Sequence, residues 1–112
     1  MAGNVAFYRN DNLLEVVGLQ DEASGAAIVD AAVAVTVRSL ASTPGCGTAV
    51  SGQSWPAALA YVAESEGDYR CVLDHDAAFA LGQTYEAEIS AVAGSGLVAT
   101  WFFLFTVLAR RS

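Results

Sequence analysis

The chain has 112 residues, of which 54% are hydrophobic and 15% charged. This composition predicts one folded domain with its own core and excludes a disordered chain. The 12 Asp and Glu outnumber the 5 Lys and Arg, which gives a formal net charge of −7. Such a surface repels phosphate groups, so we expect no direct binding to nucleic acid.

The two ends of the sequence predict neither a targeting signal nor a membrane anchor. Met1 to Ala6 lack the basic-then-apolar pattern of a secretory signal, so the protein is expected to be made and kept in a cytoplasm. The apolar run from Leu97 to Ala109 is shorter than the roughly 20 residues of a membrane helix, so no membrane partner is expected. Cys46 and Cys71 are expected to be free thiols, with a disulfide between them as the alternative.

In chain order, an N-terminal arm of residues 1–12 is predicted to precede a folded domain of residues 13–112. The segment from Leu13 to Leu19 is typical of a first strand, followed by a turn. A second strand, Val33 to Arg38, alternates strictly in the size and polarity of its side chains. Because side chains alternate across a strand, the core face of this segment is predicted to carry Val33, Val35 and Val37.

The middle of the chain combines a long loop with a hairpin. Ser39 to Trp55 is rich in Ser, Thr, Gly and Pro, which predicts a loop with a short strand around Thr48 to Val50. Ala57 to Glu64 and Tyr69 to Leu73 flank a turn and are predicted to pair. In the second of these strands Cys71 is expected to face the core, as a small apolar residue.

A sharp turn and an alternating strand follow, with Tyr85 at the start of the strand. This pattern is typical of a tyrosine corner in a β-sandwich, where the ring packs in the core and the hydroxyl bonds to backbone. Beyond it, the alternation divides the strand into two faces. The core face is predicted to hold Ala87, Ile89 and Ala91, and the water face Glu86, Glu88 and Ser90.

The last predicted strand, Val98 to Leu108, is apolar on both faces. The core face is assigned to Trp101, Phe103 and Phe105, because the opposite face carries Thr100 and Thr106. That opposite face presents Phe102, Leu104 and Leu108, which we interpret as an interface between subunits. One alternative is that the N-terminal segment with Phe7 and Tyr8 covers this face. The other is that Val98 to Leu108 form a buried terminal helix.

No group of residues predicts a metal site or a bound cofactor. In Asp74-His75-Asp76 the carboxylates of an extended chain share one side and His75 takes the other, which favours a solvated loop over a divalent-ion site. Asn10-Asp11-Asn12 lacks the glycine and the final glutamate of a calcium loop and is interpreted as a turn. The glycine-flanked segments lack the helix of a phosphate-binding loop.

Catalytic residues are likewise not predicted. His75 has no recognisable nucleophile motif near it, and Gly45-Cys46-Gly47 is interpreted as a structural loop. The carboxylate pairs Glu64 with Glu66 and Glu86 with Glu88 fall on same-side strand positions, which is typical of a solvated face. We therefore expect a protein that is not an enzyme.

The turn Leu81-Gly82-Gln83-Thr84-Tyr85 and the order of predicted strands resemble immunoglobulin-like and fibronectin type III-like modules. Cys71 precedes the corner, whereas the inter-sheet disulfide of antibody domains places a cysteine after it, so that branch is excluded. Gly18-Leu19-Gln20-Asp21, Ser24-Gly25 and Val33 to Val37 also look like small Ig-like or transthyretin-like proteins of tailed-bacteriophage virions.

These resemblances imply an all-β, Ig-like antiparallel β-sandwich of about seven strands. They imply a virion structural protein, made in the host cytoplasm, whose partners are copies of itself or other virion proteins. Capsid decoration or cement is favoured over a neck or tail position. A module that binds carbohydrate or a host surface through Ser39 to Trp55 is the alternative, which exposed Trp55 or Tyr61 rings would favour.

Overall fold

The computed structural model describes residues 4–20, 24–94, 96 and 98–109. These residues contain seven strands and no helix, which confirms the prediction of an all-β chain with about seven strands. The strands are β1 (Asn4–Phe7), β2 (Asn12–Val16), β3 (Ala32–Ser39), β4 (Ala57–Tyr61), β5 (Tyr69–Leu73), β6 (Thr84–Val92) and β7 (Val98–Leu108). No candidate for a membrane-spanning helix occurs in the described part of the chain.

The strands form one hydrogen-bonded sheet in the order β1-β7-β6-β3-β4-β5-β2. Neighbours run antiparallel except β1, which lies parallel to β7. β4 divides its pairing, because Ala57 to Leu59 pair with β3 whereas Ala60 and Tyr61 pair with β5. The sheet is nearly barrel-like, and its two end strands, β1 and β2, have no ladder between them in the described residues.

The core lies where the alternating strands predict it. Val33, Val35 and Val37 of β3 are 3% exposed or less, and Ala87, Ile89 and Ala91 of β6 are equally well buried, at 4% or less. β-Branched side chains fit this pleated and fully covered surface, and each such side chain contributes about 1.5–3 kcal/mol by leaving water. The core faces predicted for these two strands are confirmed.

The corner before β6 has the predicted contacts. The Tyr85 ring is buried, and its hydroxyl accepts a hydrogen bond of 2.6 Å from the Ala80 N–H. The ring meets Phe79 edge-on at 5.1 Å between centroids and stacks on Phe105 at 5.9 Å. Aromatic packing and the hydroxyl bond together fix the direction in which the chain enters β6.

Residues 4–12 of the predicted N-terminal arm contribute to two strands. Asn4 to Phe7 form β1 and pair with Phe105 to Leu108 of β7, and Asn12 begins β2. The strand predicted from Leu13 to Leu19 ends at Val16. Residues 1–3 of the predicted arm lie outside the described part of the chain.

Glu86 was predicted to face water, and this prediction is wrong. Its side chain points away from the core as expected, yet the residue is only 4% exposed. The loop after β3 returns over it, and the Gly45 N–H donates a 2.7 Å hydrogen bond to Glu86 Oε1. In the same loop an isolated bridge joins Arg38 to Ala49, at the place predicted for a short strand.

Candidate functional site

Two neighbouring surfaces of β7 are candidates for function, and the first is its face away from the core, here called the outer face. It carries Phe102, Leu104 and Leu108, which are 41%, 47% and 44% exposed. Phe105, which points to the core from the same strand, is 4% exposed. The segment is a strand, so the alternative of a buried terminal helix is wrong.

The N-terminal strand enlarges the outer face. β1 lies beside β7, and its register places Val5 next to Thr106 and Phe7 next to Leu108 on the same side of the sheet. Val5 is 48% exposed and Phe7 is partly buried. Residues 4–8 therefore do not lie across the outer face as the self-covering alternative requires.

Charged groups and a loop border the outer face on its β6 side. Glu88 pairs with Phe102 across β6 and β7, and the guanidinium of Arg38 forms a close ion pair with the Glu88 carboxylate. Gly45, with a φ of +82°, brings the loop after β3 against these groups. A Cβ there would sit 3.8 Å from the Phe102 ring and from Glu88 Oε1. The apolar surface thus has a polar rim on one side.

The second surface is a cleft of about 690 Å³ between the two end strands of the sheet. β1 and β2 form its walls, and Trp101, Phe103 and Phe105 of β7 form its floor. Trp101 and Phe103 are only partly buried, whereas Phe105 belongs to the core. We call this space the β1–β2 cleft.

Asn12 closes one end of the β1–β2 cleft. Its Oδ1 accepts a hydrogen bond of 2.8 Å from the Phe7 N–H, and its Nδ2 donates one of 3.0 Å to the Phe7 carbonyl. The Asn12 side chain therefore bonds to both backbone groups of a β1 residue, as a paired strand would. From this contact β1 and β2 continue without further hydrogen bonds between them in the described residues.

A cluster of Asp11, Asp74 and His75 lies on the surface beside this closed end. Asp11 Oδ1 accepts hydrogen bonds of 2.8 Å from both the backbone N–H and Nδ1 of His75. The side-chain bond, followed by the backbone bond, lowers the pKa of Asp11. The same side-chain bond, and then the charges of Asp76, Asp11 and Asp74, raise the pKa of His75.

Sequence reasoning missed this cluster because it treated its two parts separately. Asn10-Asp11-Asn12 and Asp74-His75-Asp76 meet since Asn12 pairs with Leu73 in the β2–β5 ladder. The register of that ladder is the signal that would have found it. One ligand atom from each of Asp11, Asp74 and His75 lies within 4.8 Å of the others, although all three groups sit at the surface and bond to one another.

Comparisons with protein-family models, curated proteins and solved structures found no match.

Four further side chains bear on the carbohydrate-binding alternative and on thiol chemistry, namely Trp55, Tyr61 and the two cysteines. Trp55 is partly buried, and its indole N–H donates a hydrogen bond of 2.6 Å to the Val50 carbonyl. Tyr61 is also partly buried and donates its hydroxyl hydrogen to the Ser65 carbonyl. The Tyr61 ring also packs against Tyr69, with 5.4 Å between the ring centroids. Cys46 and Cys71 are both free thiols, and burial raises the pKa of Cys71.

Proposed function

We propose that this protein is a non-enzymatic structural protein that assembles through repeated protein–protein contacts made by the outer face. One observation carries the proposal. β7 already supplies the core with one face, yet its opposite face exposes Phe102, Leu104 and Leu108 in a row. An antiparallel strand with one wet side normally carries polar residues there, so apolar residues on both sides favour a second burial partner.

The energetics favour assembly by many weak contacts. Each 100 Å² of apolar surface removed from water contributes about 2.5 kcal/mol, and a specific interface buries about 800 Å² per partner. Much of this gain is offset by the lost freedom of the associating subunits. Repetition around a shell or a tube multiplies the remaining affinity, because each further contact forms at high effective concentration.

The arrangement of charges also fits an interface. The ion pair of Arg38 with Glu88 lies at the edge of the apolar row, and the row itself contains no ionisable side chain. Protein interfaces share this pattern, with charges depleted from the centre and kept at a solvated rim. A rim of this kind selects partners and orientation more than it adds affinity.

The finer proposal for the fold is an Ig-like sandwich. The Tyr85 corner supports it, as does β4, which divides its pairing between β3 and β5 and so separates β1-β7-β6-β3 from β5-β2. The finer proposal for the role is a virion component of a tailed bacteriophage, as capsid decoration or cement rather than neck or tail. It rests on the sequence resemblance, with virion proteins rather than nucleic acid or membrane as partners.

The test is the mass of the purified protein by light scattering across a range of concentrations, beside a Phe102→Asp/Leu104→Asp variant. We expect the wild type to form an oligomer and the variant to stay monomeric while keeping its circular dichroism spectrum. Charges placed in the row cannot enter a dry interface without a large desolvation cost.

A matched control introduces two aspartates at exposed apolar positions outside the outer face. Val29→Asp/Val72→Asp replaces side chains that are 50% and 51% exposed in a loop and on β5. This control should keep the mass of the wild type. A wild type that stays monomeric at every concentration, or a control that dissociates like the variant, would contradict the proposal.

A further inference from the structure

The β1–β2 cleft has an open strand edge along one wall. Within the described residues β2 pairs with β5 on one side, and no backbone hydrogen bond joins Leu13 to Val16 to another described residue on the other side. An open strand edge is a row of N–H and C=O groups that another extended chain satisfies. This wall therefore has the chemistry to pair with a further strand.

The floor of the cleft has a spacing that fits an extended chain. Trp101 and Phe103 are two residues apart on β7, and both rings are only partly buried. Residues two apart on a strand are separated by about 6.5–7 Å, the same repeat as the alternate side chains of a bound strand. Two apolar side chains at alternate positions of a bound strand would therefore lie over the rings of Trp101 and Phe103.

Asn12 indicates that the wall formed by β1 accepts a peptide group as well. Its side-chain carboxamide, which has the same donor and acceptor as a peptide bond, already pairs with Phe7 at the closed end. Beyond Asn12 the space continues with no such partner in the described residues. Among the described residues, a side chain thus fills one position beside β1, and no strand fills the positions that follow.

Charge restricts the occupant further. Glu15, whose carboxylate lies 3.5 Å from the Arg70 guanidinium, is the single ionisable residue that lines the cleft among the described residues, and the whole chain carries −7. An acidic segment is repelled there, whereas a neutral or basic one is not.

We propose that the β1–β2 cleft binds an extended segment of a partner protein, apolar at alternate positions and free of acidic residues, which adds as a strand to the open edge of β2. This is recognition by strand addition, in which main-chain hydrogen bonds supply affinity and side-chain pockets supply specificity. The floor of the site lies on the inner side of β7, whereas Val5 borders both the cleft and the outer face.

The experiment uses a synthetic seven-residue peptide, blocked at both ends, with terminal lysines and alternating valine and threonine between them. Binding to the full chain is followed by NMR titration and by amide hydrogen exchange. We expect slower exchange at Leu13 to Val16 and shifts of the Trp101 indole signal. N-Methylation of the valine and threonine nitrogens should weaken binding at least about tenfold, because it removes the edge hydrogen bonds. Glutamates in place of the lysines should also weaken binding.

Two substitutions on adjacent residues provide the matched pair. Trp101→Ala removes part of the floor and should weaken binding about tenfold, whereas Phe102→Ala, on the outer face, should change it less than twofold. If Trp101→Ala does not fold, the hydrogen-exchange pattern of the wild type decides. Equal binding of the N-methylated peptide would mean a site for small apolar molecules and would overturn strand addition. Binding that depends on Phe102, or none at millimolar peptide, would also overturn it.

Discussion

The two ends of the inner side of β7 differ sharply in burial, although both lie on the same face of one strand and both carry large apolar side chains. At the corner end Phe105 and Val107 are buried, at 4% and 0% exposure, with Phe79 and Tyr85 packed around Phe105. At the other end Trp101 and Phe103 remain partly exposed above the β1–β2 cleft.

Burial along the inner side of β7 is decided by the neighbouring elements. The corner end has β1 beside it, the turn before β6 across from it, and Asn12 pinning β1 to β2. The cleft end also carries large apolar side chains, but no strand in the described residues completes the wall between β1 and β2. One end is completed by the chain itself, and the other has the chemistry to be completed by another chain.

The largest expected effect comes from deleting one ring at each end. Phe105→Ala should lower the free energy of unfolding by about 3–5 kcal/mol, because it leaves a cavity among three aromatic rings and β-branched residues. Phe103→Ala should cost about 1–2 kcal/mol, because a partly exposed ring has lost less of its contact with water. Urea denaturation of both variants measures the difference. Equal losses would mean that the cleft end is packed as tightly as the corner.

A smaller effect is expected from removing only the hydroxyl group of Tyr85. Tyr85→Phe keeps the ring and removes the acceptor of the Ala80 N–H, so it should cost about 1 kcal/mol. Tyr8→Phe is the matched control, because no hydrogen bond from the Tyr8 hydroxyl occurs in the described residues and the loss should stay within about 0.5 kcal/mol. Thermal unfolding of both variants checks this. A larger loss for Tyr8→Phe would show that ring packing rather than the hydroxyl bond is being measured.

Sequence patterns predicted the parts of the fold that depend on local alternation and turns. β5 and β7 occupy Tyr69 to Leu73 and Val98 to Leu108, the bounds predicted for them, and β3 differs from its prediction by one residue at each end. Each of these strands has a two-residue repeat or a hairpin turn, which neighbouring residues alone specify. The Tyr85 corner is equally local.

The parts that escaped prediction depend on pairs distant in the sequence. β1 is four residues long and pairs parallel with the last strand, so nothing near it announces a partner. Glu86 is covered by a loop that starts at the end of β3 on the neighbouring strand, and strand alternation specifies the side of a residue but not what lies over it. The β1–β2 cleft is a property of how the sheet curls, and no single segment encodes it.

The smallest expected effect concerns the outermost contact of the closed end. The pKa of His75 is raised above its usual 6.5, so the stability that this group contributes is present below about pH 6.5 and is lost as the pH rises through the raised value. The pKa of Asp11 is lowered below its usual 3.8, so its contribution is present above about pH 3.8 and is lost as the pH falls through the lowered value. The contact between Asp11 and His75 should therefore be strongest between about pH 3.8 and about pH 6.5.

NMR titration of the His75 ring checks this directly. Asp11→Asn should bring the His75 pKa closer to 6.5 without restoring it fully, because the charges of Asp76 and Asp74 remain beside the ring. Both Asp11 and His75 are solvent-exposed, so the variant should leave the unfolding free energy nearly unchanged and leave Phe105 as deeply buried as before. If Asp11→Asn instead exposed the corner end to rapid hydrogen exchange at Phe105 and Val107, this surface pair and not the aromatic packing would be what distinguishes the two ends of β7.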